Sequence, residues 1–303
     1  MKNDPRQIEI VKLDAPLGAE VRGVDFAHPL GAQVQDILRK AWSDHLILLF
    51  RGQAHIEQQD HINATRVFGA PVAGAALKYF EASGTKEVNQ AKFKEISVVS
   101  NLDAQGNPVQ ENDGLGSGEV VWHSDNSYID EPPIGSFLMA REIPSDGGHT
   151  SWNNQYLAFE TLPDDVKVRM KGLVTKQDSS RNSAGRLRPG VATPMTLDDV
   201  PGPNHPLVRI VPETGRPALY LGRRRVFPSQ YVIGWSREQS EELLDFLWGH
   251  ATDSKLQYTH EWELGDMVLW DNRCTMHYRE PLTTLQRRVM HRTQIQNEAI
   301  VAA

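Results

Sequence analysis

The chain has 303 residues and a net charge of −7 at pH 7 without a basic tract, which argues against nucleic acid or an anionic membrane surface as its main partner. Its single cysteine, Cys274, excludes a disulfide framework and any all-thiolate zinc or iron–sulfur site. The N-terminus is polar and no stretch approaches the roughly 20 apolar residues of a membrane span. We therefore expect a soluble, cytoplasmic protein.

Hydrophobic periodicity predicts the secondary structure in chain order. Two short strands around Pro16 predict an opening hairpin, and apolar positions spaced three and four apart predict an amphipathic helix over 31–45. The predicted strands are 7–13, 19–26, 46–50, 121–128, 135–141, 148–152, 207–211, 217–221, 256–262, 267–270, 275–278 and 288–295. The predicted helices are 31–45, 56–68, 154–172 and 237–250.

Many short strands, Gly/Pro turns and few helices predict a mainly β fold, a sandwich or a jelly-roll barrel. We expect a single domain over residues 1–303, because no domain boundary is visible. Two segments, 70–118 and 176–206, are rich in turn residues or lack a clear period. They are predicted to be lids or insertions.

The predicted strand 121–128 carries two candidate metal ligands. Alternation along a strand would place His123 and Asp125 on one face. An imidazole and a carboxylate on one face can bind one metal ion, and a second histidine would complete a 2-His-1-carboxylate triad, the arrangement of non-haem Fe(II) oxygenases. His-x-Asp pairs are also common as surface or hydrogen-bonded structural residues, so the motif alone leaves both interpretations open.

Two arginines near the C-terminus are candidate anion ligands. Arg288 and Arg292 would share one face of the predicted strand 288–295, with their Cα atoms about 13 Å apart. Guanidinium groups that point inward could bind two different anions through paired hydrogen bonds. The alternative interpretation is a basic outer face of the sheet.

Several motifs together resemble the TauD/TfdA family of taurine and 2,4-D dioxygenases, which depend on Fe(II) and 2-oxoglutarate. The resemblance is carried by Gly18–Asp25, Phe50–Gln53, Trp122–Asp125, Gly147–Thr150, Trp270–Arg273 with His277, and Arg287–Arg292. Arg288 follows His277 by eleven residues, the family's spacing between the distal histidine and the arginine that binds 2-oxoglutarate. The resemblance implies a double-stranded β-helix, a jelly-roll and cupin-like barrel with flanking helices.

The resemblance also implies a role for particular residues. The implied roles are Fe(II) binding by His123, Asp125 and His277; 2-oxoglutarate binding by Arg288 and Thr150; substrate binding by Arg292, Tyr128 and Glu119; and a position near the metal for Trp270. The implied reaction uses O₂ to hydroxylate a small anionic organic substrate and releases succinate and CO₂. A sulfonate, an aryloxyalkanoate or another carboxylic acid would fit, and hydroxylation could lead to bond cleavage.

The sequence also departs from the family pattern at several positions, and two alternative functions stay open. His149 stands where the family usually has aspartate and is interpreted as structural. Glu119 occupies a position that holds a substrate-contacting amide in the taurine enzyme, and residues 70–95 lack that enzyme's His/Tyr pair, so we expect a substrate other than taurine. Asp125 argues against a halogenase. The alternatives are a non-oxidative metal-binding barrel, such as a cupin-like isomerase or a 2-oxoglutarate sensor, and a hydrolytic zinc enzyme. Dimers and tetramers are common in the family.

Overall fold

A computed structural model describes residues 3–75, 77, 91–110, 120–182, 185–188, 190–225 and 227–303. The largest sheet runs in spatial order β1 (Glu9–Lys12), β2 (Ala19–Arg22), β3 (Ile47–Phe50), β15 (Met267–Asp271), β7 (Pro133–Glu142), β17 (Val289–Asn297) and β4 (Pro71–Val72), with β5 (Ser97–Ser100) also paired to β17. A second sheet runs β14 (Gln257–His260), β8 (Thr150–Asn154), β16 (Thr275–Arg279) and β6 (Val120–His123).

The described residues also form two smaller sheets, five α-helices and two short 3-10 helices, Pro5–Gln7 and Ser254–Leu256. The small sheets are β10 (Asn204–Pro206), β9 (Val174–Gln177) and β13 (Gln230–Val232), and β12 (Arg216–Leu219), β11 (Val208–Val211) and β18 (Val301–Ala302). The helices are α1 (Ala32–His45), α2 (Gln58–Arg66), α3 (Gln155–Glu160), α4 (Asp164–Met170) and α5 (Arg237–Ala251). Within the described ranges, no helix is both long enough and apolar enough to cross a membrane.

The two larger sheets share one apolar core. Trp152 of β8 packs against Trp270 of β15, with their ring centroids 5.5 Å apart, and both side chains are buried. The strand β15 is buried at every position because it pairs with β3 and β7 on its two edges and has side chains in core clusters on both faces. The predicted mainly β jelly-roll fold is confirmed.

Most predicted elements are present, but several are wrong in extent; the strand predicted over 19–26, for example, ends at Arg22. The opening hairpin is confirmed by the antiparallel pairing of β1 and β2, and α1 begins one residue after the predicted start. The single helix predicted over 154–172 is instead α3 and α4, because Pro163 ends the first and caps the second. The strand predicted over 121–128 stops at His123, and a turn follows it.

The two predicted lid or insertion segments are described to different degrees. Segment 70–118 lies partly outside the described residues, and its lid role stays a prediction. Most of segment 176–206 is described: it begins within β9, ends with β10 and carries the buried side chain of Arg188. Arg188 lies close to the turn that follows β6, because its guanidinium carbon is 4.0 Å from the ring centroid of Tyr128.

Candidate active site

The two histidines among the candidate metal ligands lie on neighbouring strands. His123 of β6 is the register partner of His277 of β16, and their ring centroids are 4.1 Å apart. Asp125 lies two residues beyond the end of β6. One ligand atom from each of the three side chains falls within 4.8 Å of the others, so the fold brings together residues that are 154 positions apart in sequence.

Asp125 reaches the histidines because the chain turns after His123, and the predicted reason, alternation along a strand, is wrong. The backbone N–H of Ser124 donates to the carbonyl of Gly222 at 2.9 Å. Asn126 adopts a left-handed conformation with φ 54°, which asparagine tolerates better than most residues. The turn therefore directs the Asp125 carboxylate toward the space between the two large sheets.

Residues of the largest sheet hold the Asp125 carboxylate. Ser136 Oγ of β7 donates to Oδ2 at 2.7 Å, and Arg292 Nη1 of β17 donates to Oδ1 at 3.0 Å and to Oδ2 at 3.2 Å. Asn272 Nδ2 donates to Ser136 Oγ at 3.1 Å, and Trp270 Nε1 donates to Asn272 Oδ1 at 2.8 Å. This chain of hydrogen bonds orients the carboxylate, as supporting residues do around metal ligands.

The donor set fits a divalent metal ion. His123 Nδ1 lies 2.8 Å from the carbonyl of Val121, which assigns the proton to Nδ1 and leaves the Nε2 lone pair, 3.7 Å from Asp125 Oδ1, for a metal. His277 Nδ1 is buried and has no hydrogen-bond partner among the described residues. Two imidazoles and one carboxylate form the facial triad of non-haem Fe(II) sites, with positions left for co-substrate and O₂.

The protonation states also suit metal binding. Burial lowers the pKa of both His123 and His277, so both imidazoles are neutral near pH 7. Burial tends to raise the pKa of Asp125, but the positive charge of Arg292 holds it well below its ordinary value. Neutral imidazoles and an ionised carboxylate are the forms that bind metal ions.

Arg288 is a buried cation with few contacts inside the protein. It is 5% exposed, and its Nη2 donates to the carbonyl of Gly148 at 3.3 Å. Among the described residues it forms no ion pair. Burial and the like charge of Arg279 lower its pKa to about 9, so it remains protonated at neutral pH. A buried guanidinium that lacks a carboxylate partner suits an anionic ligand.

The backbone around Arg288 is fitted to its side chain. Gly148 has φ 72°, and a Cβ added there would meet Leu282 at 2.5 Å and Arg288 Nε at 3.1 Å. The Arg288 backbone N–H donates to Asn101 Oδ1 at 2.9 Å. The outer-face interpretation of this arginine is wrong, because the guanidinium lies within the barrel.

Thr150 is buried near this arginine, two residues after Gly148. It is the register partner of Arg279 on β16. Its Oγ1 accepts from Trp262 Nε1 at 3.0 Å, so its hydroxyl proton is available to donate to an incoming oxygen. Thr150, Arg279 and Arg288 thus place one hydroxyl and two guanidinium groups in one region of the barrel.

The remaining predicted residues have different positions. Tyr128 is buried beside Arg188, and the centroid of its ring is 5.8 Å from the guanidinium carbon of Arg223. The Trp270 ring lies 4.9 Å from the ring of His277. Glu119 lies outside the described residues, so its predicted substrate contact stays a prediction.

Sequence analysis missed several residues that the structure places at the site. Asn272 stands inside a motif already used for the family resemblance, and Arg223 begins a run of three arginines, so both carried a detectable signal. Ser136, Asn101 and Arg279 carried none, because their contacts depend on pairing between distant strands.

The family model described as "Taurine catabolism dioxygenase TauD, TfdA family" matches residues 9–294. The (S)-phenoxypropionate/alpha-ketoglutarate-dioxygenase of Sphingobium herbicidovorans is 31% identical, over 95% of this chain and 94% of that protein. The alpha-ketoglutarate-dependent 2,4-dichlorophenoxyacetate dioxygenase of Cupriavidus pinatubonensis is 28% identical, over 93% and 96%. The alpha-ketoglutarate-dependent sulfate ester dioxygenase of Pseudomonas putida is 28% identical, over 97% and 91%.

Solved structures show the same relationship. AAD-2 in complex with Mn(II) and N-oxalylglycine has a TM-score of 0.82 and 25% identity, with 98% of this chain and 100% of that chain covered. A taurine dioxygenase from Burkholderia xenovorans has a TM-score of 0.74 and 28% identity, with 98% and 93% covered. The chain therefore belongs to the TauD/TfdA family, and it is a dioxygenase that depends on alpha-ketoglutarate, that is, 2-oxoglutarate.

Proposed function

We propose that His123, Asp125 and His277 bind the Fe(II) of this dioxygenase, and that the enzyme hydroxylates a small anionic organic substrate with release of succinate and CO₂. The observation that carries this proposal is the buried His-Asp-His cluster within 4.8 Å, in the same barrel as a buried arginine without an ion pair among the described residues. When bound, Fe(II) supplies the redox chemistry that couples O₂ reduction and 2-oxoglutarate decarboxylation to oxidation of a C–H bond.

The protein's contribution is to bind, orient and exclude water. Arg288, with the Thr150 hydroxyl, binds the distal carboxylate of 2-oxoglutarate, because a guanidinium donates paired hydrogen bonds to a carboxylate. Ser136 and Arg292 hold Asp125 in one orientation through the hydrogen bonds described above. The ligand side chains are 3–9% exposed, so the site lies mostly out of contact with water, which strengthens electrostatic interactions there.

Arg292 is the proposed contact for the substrate's anionic group. Its Nη1 pairs with Asp125, but its Nε is buried and has no hydrogen-bond partner among the described residues. Its side chain is 21% exposed, which is more open than that of Arg288. One guanidinium can therefore hold the metal ligand with one nitrogen and offer its other nitrogens to a ligand.

The names of the relatives support an anionic substrate. They act on phenoxypropionate, 2,4-dichlorophenoxyacetate and sulfate esters, all of which carry one oxyanion on an organic group. We propose a substrate of this class for this chain, with Tyr128 lining its pocket. We further expect the enzyme to be cytoplasmic. We also expect it to form a dimer or a tetramer, and light scattering of the purified protein would test this oligomeric state.

Succinate release from 2-oxoglutarate tests the proposed function. The Fe(II)-loaded protein is incubated under air with (S)-2-phenoxypropionate, 2,4-dichlorophenoxyacetate, hexyl sulfate and taurine in turn. We expect one of the first three acids to stimulate succinate release, and we expect Asp125→Ala and His277→Ala to abolish it, since each lacks one metal ligand. Thermal unfolding of both variants checks that they are folded.

Two outcomes would favour the alternatives. Binding of 2-oxoglutarate without succinate release under any condition would favour a sensor or a non-oxidative barrel. Hydrolysis of the sulfate ester by the Zn(II)-loaded protein, without consumption of O₂ or 2-oxoglutarate, would favour a zinc hydrolase.

A further inference from the structure

A small pocket with three arginines lies beside the candidate active site. It is lined by Tyr128 and Ser127 from the turn after β6, by Arg181 from segment 176–206, and by Arg223 and Arg225 from the chain after β12. The pocket also contains Asp178, but both carboxylate oxygens of Asp178 accept hydrogen bonds from Ser180, at 2.7 and 2.8 Å. The lining therefore has excess positive charge and favours an anionic occupant.

Arg223 stands out among these arginines because no carboxylate in the described part of the chain pairs with its charge. It forms no ion pair and donates no side-chain hydrogen bond within the described residues, and its Nε is buried without an acceptor. Neighbouring Arg224 provides a contrast, since it pairs with Glu241 at 3.1 Å and with Asp245 at 2.5 Å. A buried donor left without an acceptor is unfavourable, and a ligand's oxyanion would satisfy it.

The backbone holds Arg223 next to the metal ligands. Arg223 forms an isolated antiparallel bridge with His123, and the carbonyl of Gly222 accepts from the backbone N–H of Ser124. Gly222 has φ 69°, and a Cβ there would lie 2.1 Å from the Gln177 side chain. This close approach requires glycine and fixes where the next side chain begins.

The charge of Arg223 lies within electrostatic range of the whole triad. Its positive charge helps to lower the pKa of His123 and of His277, and the negative charge of Asp125 tends to raise the pKa of Arg223. A ligand anion held by this guanidinium would therefore lie in the pocket beside the proposed metal ligands. Arg288 occupies a different part of the barrel, beside Gly148, so the two cations can bind two different anions.

We propose that Arg223 contacts the anionic group of the primary substrate, a carboxylate or a sulfate ester, and is a specificity-determining residue of this enzyme in addition to Arg292. This inference rests on the proposed function for its substrate class. It differs from that function in assigning recognition to a residue outside the C-terminal Arg288–Arg292 pair. Arg225 and Arg181 add positive potential to the same pocket.

Calorimetric binding to the Mn(II) and N-oxalylglycine complex tests this role without turnover. Hexyl sulfate and (S)-2-phenoxypropionate are titrated separately, so the two arms distinguish a sulfate-ester site from a carboxylate site. We expect at least one compound to bind the unmodified protein and Arg223→Gln to weaken that binding about tenfold or more, because a charge-assisted hydrogen bond is lost. Arg223→Lys should retain part of the affinity.

Arg224→Gln is the matched control, since it removes the same charge from the adjacent position and should bind both compounds like the unmodified protein. N-oxalylglycine affinity measured on Arg223→Gln checks that the Arg288 region is intact. Equal affinity of Arg223→Gln and the unmodified protein, equal loss in Arg224→Gln, or no binding of either compound to the unmodified protein would overturn the inference.

Succinate release separates the two proposals. If a compound binds in an Arg223-dependent way but never stimulates succinate release from the Fe(II) protein, the proposed function fails and the anion site stands. If succinate release is stimulated while Arg223→Gln leaves both the affinity and the KM unchanged, the assignment of Arg223 fails and the proposed function stands.

Discussion

Two arginines of this chain are buried equally deeply in very different surroundings. Arg273 is 4% exposed and Arg288 is 5% exposed. Arg273 contacts the carboxylates of Asp271 at 2.8 Å and Glu213 at 2.6 Å, and although burial alone would lower its pKa, these two acids raise it. Arg288 forms no ion pair among the described residues, and burial lowers its pKa to about 9.

Under the proposed function, this difference separates a structural cation from one that binds a ligand. The charge of Arg273 is compensated inside the protein, so its interactions are complete in the folded chain. The charge of Arg288 has no acidic partner among the described residues, which is unfavourable for folding and would be offset by a bound anion. The same contrast distinguishes Arg224, which pairs with Glu241, from Arg223, which lines the small arginine pocket and has no ion pair within the described residues.

The largest expected effect is on the structural cation. Arg273→Gln should lower the free energy of unfolding by about 3 kcal/mol, because it leaves the buried carboxylate of Asp271 without its partner; Glu213 is half-exposed and adds less. Chemical denaturation measures the change. Arg22→Gln, which breaks the exposed pair with Glu20, is the control and should have little measurable effect. A loss no larger than that of the control would contradict the comparison.

A buried histidine extends the comparison of the two arginines. Unlike an arginine, a buried histidine without an acidic partner can release its proton and become neutral. His61 is fully buried, and burial, with the charges of His291 and Arg141, lowers its pKa to about 3. The unfolded chain binds a proton near pH 6.5 and the folded chain does not, so stability falls as pH drops from 6.5 toward 3. At pH 5, proton binding by His61 in the unfolded chain should lower the free energy of unfolding by about 2 kcal/mol.

His61→Gln should remove that part of the pH dependence. Denaturation of both proteins at pH 7 and pH 5 measures it, and the difference between the two pH values is compared rather than the absolute stability, since the variant also alters the bonds of His61 to Phe137 and Thr293. Parallel pH profiles in the two proteins would show that His61 does not stay neutral in the fold.

Loss of the hydrogen bond that orients Asp125 should have a smaller effect. This prediction tests a candidate metal ligand whose charge is paired inside the protein. Ser136→Ala removes the donor to Asp125 Oδ2 and should weaken Mn(II) affinity about tenfold, as loss of such supporting contacts does. Competition with a fluorescent chelator measures the affinity. Ser151→Ala, which removes a hydroxyl bonded to Thr259 instead, should retain the original affinity. Equal affinities in all three proteins would mean that Ser136 does not position the ligand.

Thr150→Val should have the smallest effect, since it removes one hydroxyl beside Arg288 without changing charge. We expect the KM for 2-oxoglutarate to rise severalfold, as for the loss of one hydrogen bond of about 1 kcal/mol. Steady-state succinate release at several 2-oxoglutarate concentrations gives both KM and kcat. An unchanged KM would remove Thr150 from the 2-oxoglutarate site.

Local patterns in the sequence predict the elements whose structure is set by near neighbours. The helix α1 and the opening hairpin follow from periodicity within about a dozen residues. The proline at position 163 signals the break between α3 and α4, although the prediction did not use it. The end of β6 at His123 has only a weak signal in the sequence, because the following turn is stabilised by the distant Gly222. Alternation therefore extended the strand too far.

The candidate site depends on contacts that periodicity does not encode. His123 and His277 meet only because β6 pairs with β16, and the sequence indicated the pair through a family resemblance rather than through spacing. The contact of Ser136 with Asp125 was not predicted, because only the fold brings their strands together. The run of arginines that begins at Arg223 was visible in the sequence, but its position beside His123 was not.

The most direct test of the central claim is the binding of 2-oxoglutarate to Arg288→Gln. Thermal unfolding of the Mn(II)-loaded protein is followed with and without 2-oxoglutarate, for the unmodified chain, Arg288→Gln and Arg288→Lys. We predict that 2-oxoglutarate stabilises the unmodified protein, that its affinity falls about 10- to 100-fold in Arg288→Gln, and that this variant without ligand is at least as stable as the unmodified protein. Unchanged affinity, or a loss of stability like that of Arg273→Gln, would show that Arg288 is a structural cation and contradict the account.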